Sequence, residues 1–549
     1  MMKNYYSIKK TALKVRKLII DCISDAGSGH PGGSLSMVEI LGCLFYNHIK
    51  YNPKNPGWNK RDKLILSKGH ASPGLFSYLA MMGYFEIDKL STFRKFGSML
   101  QGHPNLQCPG VEFCGGSLGI GLSFSIGDAL AARIDNSSRR IYTIIGDGES
   151  DEGQIWEAAM SAAKYGIDNL TVILDRNYVQ QDSHTEDIMP LDVIAENTNT
   201  ENSIYTIKNK WKSFGWNVID IDGHKIEQID YAIRESKKIK NKPSIIIANT
   251  VKGKGIDHME HNPNWHGQAP QREFIPLIDT ELNSQFMIAP SIIAGYSSDL
   301  QNKIKLCEHA KADYIHLDVM DGIFVNNKTF DFKKIKELRN VTNLPFDVHL
   351  MISNPLKYIM KYIDAGSDII SVHVEACNES SFGEIHDILQ NRGMGIGLAI
   401  NPDTKLPEWS YNFLTSLDQL IVMSVQPGKS GQKYIETTHA KTQSLLHILH
   451  KYKFEGYIEA DGGVCQTNIG QCFIDGARIF VGGNAIVGQS NVQNAITEFR
   501  HTILYTIKKL LISQANKIGG SKFIEKWINL HNKEKSSMIN NIATDLGYM

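Results

Sequence analysis

The sequence lacks the features that mark membrane-embedded, secreted and nucleic-acid-binding proteins. No stretch approaches the roughly 18 consecutive apolar residues of a transmembrane helix. The N-terminus MMKNYYSIKKTALKVRKLII has neither the apolar core nor the cleavage site of a signal peptide. Charge is balanced, with 58 basic and 58 acidic residues, and neither end carries a long block of one sign. We therefore expect a cytoplasmic protein whose partners include neither membrane nor nucleic acid.

Cysteine pairs at the spacing of metal or redox sites are also missing. The eight cysteines contain no CxxC motif, which argues against a zinc knuckle and a redox dithiol. Scattered reduced thiols are the expected state in the cytoplasm. What the sequence does have is length and an ordinary globular composition, with 549 residues of which 42% are hydrophobic and 21% charged. At about 150 residues per domain, three or four domains are expected.

The N-terminal half has the alternation of helical and strand patterns that is typical of an open parallel α/β sheet. Residues 1–266 alternate helical patterns with the short apolar runs IYTIIGDG, LTVILDRN, WNVIDIDG and PSIIIANT. Residues 267–286 lose this periodicity and mix proline, glutamine and charge. We therefore predict an α/β domain over 1–266 and a linker over 267–286.

From residue 287 apolar runs and polar segments alternate again, now at more regular intervals. The runs MIAPSIIA, YIHLDVMDG, PFDVHLM, IISVHVE, GIGLAI, QLIVMSV, GYIEADGG and RIFVGGNAI are separated by helix-length polar segments. Eight strands, each followed by a crossover, favour a closed (β/α)₈ barrel, because closure removes the exposed sheet edges. We predict this barrel over 287–498. In 499–549 we expect two or three amphipathic helices, to which no role can be given.

Polar residues follow two neighbouring strands of the N-terminal half. Asp147 lies in GDG after the run IYTIIG, and Asn177 ends the next run. In a parallel sheet adjacent strand ends share one crevice, so these two side chains and a backbone carbonyl such as that of Val179 can share one Mg²⁺. Gly146 and Gly148 would let the backbone approach a diphosphate. A plain glycine turn remains the alternative interpretation of GDG.

Asn177 follows Asp147 by 30 positions. With this spacing the sequence resembles the transketolase family, whose motif for thiamine diphosphate and Mg²⁺ starts with GDG and ends with Asn. The resemblance extends over about residues 10–270 and includes GSGHPGGSLSMVEIL, RDKLILSKGHASPGLF, LQGHP, GGSLGIG and NPNWHGQAP in the family's order. It implies thiamine diphosphate and Mg²⁺ as cofactors. The residues that it places at the cofactor are His70, Gly116, Leu118, Gly146, Gly148 and Asn177.

Several histidines lie in loops flanked by glycine or proline, where chemistry is commonly displayed. Taken singly, each could equally be a structural hydrogen-bonding residue. The resemblance implies that they line the channel for a phosphorylated ketose and stabilise oxyanions during proton transfer; they are His30, His70, His103 and His266. Glu152 matches a position at the family's subunit interface. Ile120 stands where the family commonly has glutamine, which puts one polar contact near the cofactor in doubt.

Transketolases continue into a second α/β domain that binds the aminopyrimidine ring and into a third domain, and the sequence contains neither. In the family the second domain supplies the glutamate that activates the cofactor. The first half therefore resembles the N-terminal subunit of split transketolases. This resemblance implies that the partner is a separate C-terminal transketolase subunit, and we also expect a homo-oligomer.

Histidines and aspartates stand at strand ends of the predicted barrel. His316 and Asp318 lie in IHLDVMDG, His349 in DVHLM and Asp461 in EADGG. Residues 316 and 318 point to the same face of one strand. If that face is the interior, all four converge at the barrel mouth and can bind Zn²⁺, Mn²⁺ or Fe²⁺, among which ligand softness does not choose. The alternative is an inward polar layer without metal.

The motifs APS, HLDVMDG, DVHLM, VHVEA, VMSVQPG and DGG resemble ribulose-phosphate 3-epimerase across nearly the whole barrel. The resemblance implies that the four residues bind a divalent metal and that Asp318 and Asp461 double as the acid/base pair at C3. It also implies substrate contacts at Ser291, Met320, Met351 and Met423, whose methionines could, without the resemblance, equally be ordinary core residues. Phosphate is expected on the loops after strands 7 and 8, under a flap over 426–432. The loop residues in question are Gly428, Gly431, Gly462, Gly463, Gly482, Gly483 and Asn484.

Together the two resemblances predict a bifunctional pentose-phosphate enzyme that epimerises D-ribulose 5-phosphate to D-xylulose 5-phosphate and carries half of a transketolase. Two alternatives stay open. The first half could be a non-catalytic scaffold. The barrel could instead act on a ketohexose 6-phosphate, because the flap reads PGKSG, with Lys429 and Ser430, where the epimerase family usually has PGFGG.

Overall fold

The computed structural model describes residues 5–192, 205–295, 299–429 and 431–531. This part of the chain contains two compact units, Ile8–Asn283 and Ser284–Gln514. Ser430 of the predicted flap lies outside the described residues. All eight cysteines are free thiols. Within the ranges given, no helix combines the length and the apolar character needed to cross a bilayer.

A five-stranded parallel sheet organises the first unit. Its strands are β1 (Lys63–Leu66), β2 (Ile141–Gly146), β3 (Leu170–Arg176), β4 (Asn217–Asp222) and β5 (Ser244–Asn249), in the order β1-β2-β3-β5-β4. β2 and β3 are buried along their whole length, which explains why their apolar runs show no alternation. The four predicted strands are confirmed. β1 was not predicted, because four residues of KLIL are too few to show a period.

Helices connect the strands of this unit. They are α1 (Tyr5–Ala26), α2 (Pro31–Leu35), α3 (Val38–Cys43), α4 (Ser72–Met81), α5 (Ile120–Ile134), α6 (Gly153–Lys164), α7 (Thr185–Ile188), α8 (Ile207–Ser213), α9 (Ile226–Lys238) and α10 (Ile275–Asn283). Apolar faces of α5, α6 and α8 pack with β2, β3 and β5 into one core, in which Trp211 and Trp216 are almost fully buried. This core fixes the loops at the carboxyl ends of β2 and β3.

The second unit is a barrel of eight parallel strands, and all eight predicted strands are confirmed. They are β6 (Met287–Pro290), β7 (Ile315–Met320), β8 (Phe346–Met351), β9 (Ile369–His373), β10 (Gly395–Ile400), β11 (Gln419–Met423), β12 (Tyr457–Asp461) and β13 (Ala477–Gly482). β6 pairs with β13, and the sheet then runs in reverse chain order to β7. Between β6 and β7 the barrel closes through an isolated parallel bridge of Ser291 and His316.

The helices of the second unit lie between these strands and after the last one. They are α11 (Leu300–His309), α12 (Phe332–Arg339), α13 (Pro355–Asp364), α14 (Glu379–Asn391), α15 (Thr437–Lys451), α16 (Ile469–Ile474) and, as far as Gln514, α17 (Val492–His531). The connection from β10 to β11 contains no α-helix; its helical parts are the short 3₁₀ turns Glu408–Asn412 and Leu414–Ser416.

The segment 267–286, predicted as a linker, contains a helix. α10 occupies Ile275–Asn283, and its Leu277, Ile278 and Leu282 are buried within the first unit. The division between the units falls at Asn283/Ser284. Pro276 misled the prediction, because proline reads as a loop residue but is tolerated in the first turn of a helix.

The tail is described as far as His531, and up to there it is one helix, where two or three were expected over 499–549. α17 is a single helix of 40 residues that begins at Val492, inside the predicted barrel range, and continues through Gly519 and Gly520. Its first turns carry the buried residues Ile496, Phe499 and Ile503. The glycine pair indicated a break because glycine weakens an isolated helix by about 1 kcal/mol relative to alanine, yet the helix does not end there.

Candidate active sites

Four side chains converge at the carboxyl ends of barrel strands. His316 and Asp318 are alternate residues of β7, His349 comes from β8, and Asp461 is the last residue of β12. Their ligand atoms all lie within 4.8 Å of one another. Asp318 and His349 are register partners, so the two neighbouring strands deliver them to one level of the barrel. The structure thus brings together the four residues that the sequence singled out as metal ligands.

The polar atoms of this cluster that lack a hydrogen-bond partner fit a divalent cation. Nε2 of His316 lies 3.3 Å from Asp318 Oδ1, and Nδ1 of His349 lies 3.3 Å from Asp461 Oδ2. Among the described residues, His316 Nε2, His349 Nδ1 and Asp461 Oδ2 are buried without a hydrogen-bond partner. Such atoms are rare and costly unless an ion or water satisfies them. Two imidazole nitrogens and two carboxylates are a ligand set for Zn²⁺, Mn²⁺ or Fe²⁺.

Protonation within the cluster follows from burial and from the carboxylates. Burial lowers the pKa of His316, but the charges of Asp318 and Asp347 outweigh it and raise that pKa well above its usual range. Burial opposes charge on His349 as well, yet Asp318 and Asp461 raise its pKa to about 9. For Asp318, His316 overcomes the effect of burial and lowers the pKa. A bound cation would take the place of these ring protons.

Carboxyl groups behind His316 hold its ring. Nδ1 of His316 lies 2.8 Å from Asp347 Oδ2 and 3.1 Å from Glu459 Oε1. Gln419 Nε2 donates to the other oxygen of Asp347 at 2.7 Å. Burial, followed by the charge of Asp347, raises the pKa of Glu459 to about 8. His316 is therefore oriented so that Nε2 faces the cluster.

A second chain of contacts stands behind His349. Its Nε2 lies 2.8 Å from Nε2 of His373, and Nδ1 of His373 lies 3.1 Å from Glu375 Oε2. Sequence reasoning missed these groups as well as Asp347 and Glu459. A signal was present, because Asp347 and Glu459 each lie two positions before a ligand on the same strand and so share its face.

A cavity of about 250 Å³ opens at the cluster and is lined by Asp318 and Asp461. Ser291 also lines it, and its Oγ donates to Asp318 Oδ2 at 2.6 Å. The three predicted methionines lie in its wall and are buried; they are Met320, Met351 and Met423. An apolar wall beside two carboxyl groups limits water at the place where a proton would be exchanged.

Loops after β11, β12 and β13 complete the lining through Gly428, Gly431, Gly462, Gly463, Gly483 and Asn484. Gly463 has φ +64°, and a Cβ there would meet Tyr434 N at 2.7 Å, so this turn requires glycine. Gly482 is not among the residues that line the cavity, and a Cβ there would meet Ile486 at 2.4 Å, so its substrate role stays a prediction. Among the described lining residues, Lys429 is the one cationic side chain.

The first unit brings Asp147, Asn177 and Val179 to the ends of the adjacent strands β2 and β3. Asp147 Oδ1 accepts from Gly148 N–H at 2.9 Å, and its Oδ2 accepts from Tyr178 N–H at 2.5 Å. The second bond ties the two loops together. A carboxylate, an amide oxygen and a backbone carbonyl are the oxygen ligands that Mg²⁺ takes in proteins. Burial raises the pKa of Asp147, with Lys252 and Arg176 opposing it.

A buried lysine that sequence reasoning missed adjoins these ligands. Lys252 Nζ donates to Val179 O at 2.6 Å and lies 2.7 Å from His266 Nδ1. Burial lowers the pKa of Lys252 to about 8, against the charge of Asp147. A buried ammonium group beside a cation site is well placed for an anionic ligand such as a diphosphate. In the sequence Lys252 stands between Val251 and Gly253, and this context gives no specific signal of a binding residue.

The four predicted histidines lie in the same region. The rings of His30, His70 and His266 are 5.2 to 5.4 Å apart between centroids. Burial lowers the pKa of His30 to about 4 and that of His266 to about 3, so both rings are neutral at pH 7. His30 and His266 line a cavity of about 450 Å³. His103 is exposed, and its ring lies beside Gly69, the neighbour of His70.

The loop that carries Gly116 and Leu118 is tied to the GDG loop by Glu149. One oxygen of Glu149 accepts from Gly119 N–H and the other from Gly146 N–H, each at 2.9 Å. A Cβ on Gly116 would meet no atom within 4 Å, and Leu118 is half-buried. Glu152 and Ile120, the predicted interface residue and the family departure, are both exposed.

Comparison with known proteins gives two family matches. The profile described as transketolase, thiamine diphosphate binding domain, matches residues 7–314, and that of the ribulose-phosphate 3 epimerase family matches residues 287–487. The 6-deoxy-6-sulfo-D-fructose transketolase subunit SqwG of Clostridium sp. (strain MSTE9) is 43% identical over 286 residues, covering 52% of this chain and 99% of that protein. One subunit of the apulose-4-phosphate transketolase from Phocaeicola vulgatus is 36% identical over 260 residues, covering 47% and 88%. Human transketolase is 35% identical over 289 residues, covering 52% and 44%.

Proposed function

We propose that this chain is a bifunctional enzyme of ketose phosphates. It belongs to the transketolase family through its thiamine-diphosphate-binding domain, and it carries a domain of the ribulose-phosphate 3-epimerase family. The barrel would interconvert D-ribulose 5-phosphate and D-xylulose 5-phosphate. The observation that carries this proposal is the cluster of His316, Asp318, His349 and Asp461, which holds buried polar atoms without a hydrogen-bond partner and contributes Asp318 and Asp461 to the lining of a cavity.

Epimerisation at C3 requires a proton to leave one face of the substrate and another to arrive at the opposite face. Asp318 and Asp461 both line the cavity, and we assign them as base and acid, with their roles exchanged in the reverse direction. Ser291 holds Asp318 through Oδ2. The methionine wall keeps water from the carbon that exchanges its proton. A divalent ion held by the four ligands would supply a Lewis acid that acidifies the C3 proton and stabilises the enediolate.

The phosphate of the substrate is proposed to bind the loops after β12 and β13, through backbone N–H groups at Gly462, Gly463 and Gly483. Lys429 adds a positive charge from the flap. The same lysine supports the second candidate, a ketohexose 6-phosphate, whose longer carbon chain would carry the phosphate further from the cluster and towards the flap.

In the first unit, the proposed Mg²⁺ ligands are Asp147, Asn177 and Val179, with Lys252 directed to the diphosphate of thiamine diphosphate. When bound, that cofactor supplies the carbanion chemistry of ketol transfer. His30, His70, His103 and His266 would bind the ketose and donate hydrogen bonds to its oxygens. Because SqwG and the apulose-4-phosphate enzyme are named as transketolase subunits, we propose that this unit likewise works with a second subunit. A scaffolding role without catalysis is the competing proposal.

A coupled assay on ribulose 5-phosphate with Mn²⁺, Fe²⁺ or Zn²⁺ tests the barrel. We expect xylulose 5-phosphate to form, turnover to stop on chelation, and Asp461→Asn to be inactive. Asp364→Asn, an exposed aspartate at the end of α13, is the matched control and should retain activity. An active Asp461→Asn would contradict the assignment. Comparable efficiency on allulose 6-phosphate would favour the ketohexose alternative.

Calorimetric titration with thiamine diphosphate and Mg²⁺ tests the first unit. Asp461→Asn should bind the cofactor as the unchanged chain does, whereas Asp147→Asn should not. Mixing the chain with a subunit that carries the pyrimidine-binding half should give ketol transfer from xylulose 5-phosphate. Binding of that subunit without any transfer would favour the scaffolding role.

A further inference from the structure

A histidine binds a metal ion through a nitrogen that carries no proton, so the tautomer of each ring decides whether it can act as a ligand. His316 faces the cluster with Nε2 and has Asp347 directly behind its Nδ1 at 2.8 Å. His349 faces the cluster with Nδ1, and behind its Nε2 stands another imidazole, that of His373, at 2.8 Å. The two ligands are therefore held in different ways.

Two imidazole nitrogens at this distance share one proton, because two lone pairs would repel and two N–H groups would collide. The far nitrogen of His373, Nδ1, lies 3.1 Å from Glu375 Oε2. A carboxylate only accepts, so Nδ1 of His373 carries the hydrogen. A neutral His373 then presents a lone pair at Nε2, and the shared proton belongs to His349. In the neutral His349 ring, with the cation in place of the second proton, Nδ1 is then the nitrogen without a hydrogen, on the side of the cluster.

The remaining possibility is a His373 ring protonated on both nitrogens, which would force the proton of His349 onto Nδ1. His373 is fully buried and lies nearly parallel to the ring of His349, with 4.9 Å between centroids. A positive charge without solvent beside a divalent cation is strongly unfavourable. Glu375 is itself held in place, because its Oε1 accepts from Asn401 N–H at 2.9 Å.

We propose that Glu375 is a positioning residue of the metal centre: through His373 it fixes His349 in the tautomer whose Nδ1 binds the cation. The inference rests on the proposed metal site of the barrel. Glu375 touches neither substrate nor metal in this assignment. Its effect reaches the cation through two hydrogen bonds and two rings.

Glu375→Gln in the full-length chain tests the proposal, since an amide can donate to His373 Nδ1 and reverse both tautomers. Titration with Co²⁺, followed by visible absorption, and competition with Zn²⁺ should show binding weakened about 10- to 100-fold, the usual effect of losing a partner behind a metal-bound histidine. Glu384→Gln, an exposed glutamate of α14, is the matched control and should bind as the unchanged chain does. Without metal, both variants should unfold at the same temperature as the unchanged chain.

A second measurement needs no variant. In the Zn²⁺-loaded chain, ¹⁵N spectra of labelled histidines should show His349 protonated at Nε2 and His373 at Nδ1. A proton on Nδ1 of His349, or equal Co²⁺ affinity for Glu375→Gln and the unchanged chain, overturns the positioning role while leaving the metal centre intact. Failure of the unchanged chain to bind Co²⁺ at all overturns the metal centre and this proposal with it.

Discussion

Replacing Ser291 by alanine isolates one hydrogen bond to the proposed base. Ser291 is buried, and its Oγ donates to Asp318 Oδ2 at 2.6 Å within the lining of the barrel cavity. A hydrogen bond to a charged group contributes about 1.5 to 3 kcal/mol. At about 1.4 kcal/mol per factor of ten, Ser291→Ala should lower kcat/KM for ribulose 5-phosphate about 10- to 150-fold.

The assay is the coupled conversion of ribulose 5-phosphate to xylulose 5-phosphate at saturating Mn²⁺, accompanied by Co²⁺ titration. The titration separates a weaker metal site from a poorer base. Ser410→Ala is the matched control, because Ser410 is also buried in the second unit but donates to the backbone carbonyl of Pro407. Its kcat/KM should remain that of the unchanged chain.

A kcat/KM for Ser291→Ala within twofold of the unchanged chain would refute the reasoning. That result would mean that Asp318 does not depend on Ser291 in the reaction. It would also mean that the hydrogen bond between Ser291 and Asp318, although present in the free protein, plays no part in catalysis.

Three further outcomes are expected. Lys252→Met should weaken thiamine diphosphate binding at least about tenfold in calorimetry, because a charge-assisted contact to the diphosphate is lost; unchanged affinity would remove Lys252 from the site. Lys429→Met should raise KM for the ketose phosphate several-fold with little change in kcat, whereas Lys433→Met, outside the cavity lining, should leave KM unchanged; equal KM values for both would contradict the role of the flap lysine. Glu281→Gln should remove a pH dependence of stability. Burial raises the pKa of Glu281 to about 8, so the folded chain keeps a proton that the unfolded chain loses above about pH 4.5, and stability falls between these values by up to about 5 kcal/mol. Unfolding at pH 5 and pH 9 should differ less for Glu281→Gln than for the unchanged chain, and parallel curves would contradict this.

The convergence of the four proposed metal ligands could be predicted from the sequence because its signal is local. His316 and Asp318 alternate on one apolar strand, and polar residues at strand ends of a barrel point to its mouth. The groups behind the ligands were harder to find. His373 and Glu375 lie at the end of β9 and just after it, and their relation to His349 depends on the register of neighbouring strands, which no single run of sequence contains.

The helix α10 and the long helix α17 show where local rules fail. Pro276 and the pair Gly519–Gly520 each indicate an interruption in an isolated chain. In α10 the proline stands in the first turn, where a helix tolerates it, and Leu277, Ile278 and Leu282 are buried. Lys252 was missed for the opposite reason: a lysine in a glycine-rich loop reads as solvated, and only the fold reveals that it is buried against Val179 and His266.

The way the barrel closes has a consequence for its synthesis. β6 is the first barrel strand to be made, but its ladder partner is β13, the last strand, and beside β7 it forms the isolated bridge of Ser291 and His316. The ladder of this strand can therefore form only after the last strand has been made. Since that bridge joins the serine to a proposed metal ligand, the onset of epimerase activity would report completion of the ring, and a nascent chain that stops before β13 would carry Asp318 and His349 without a finished site.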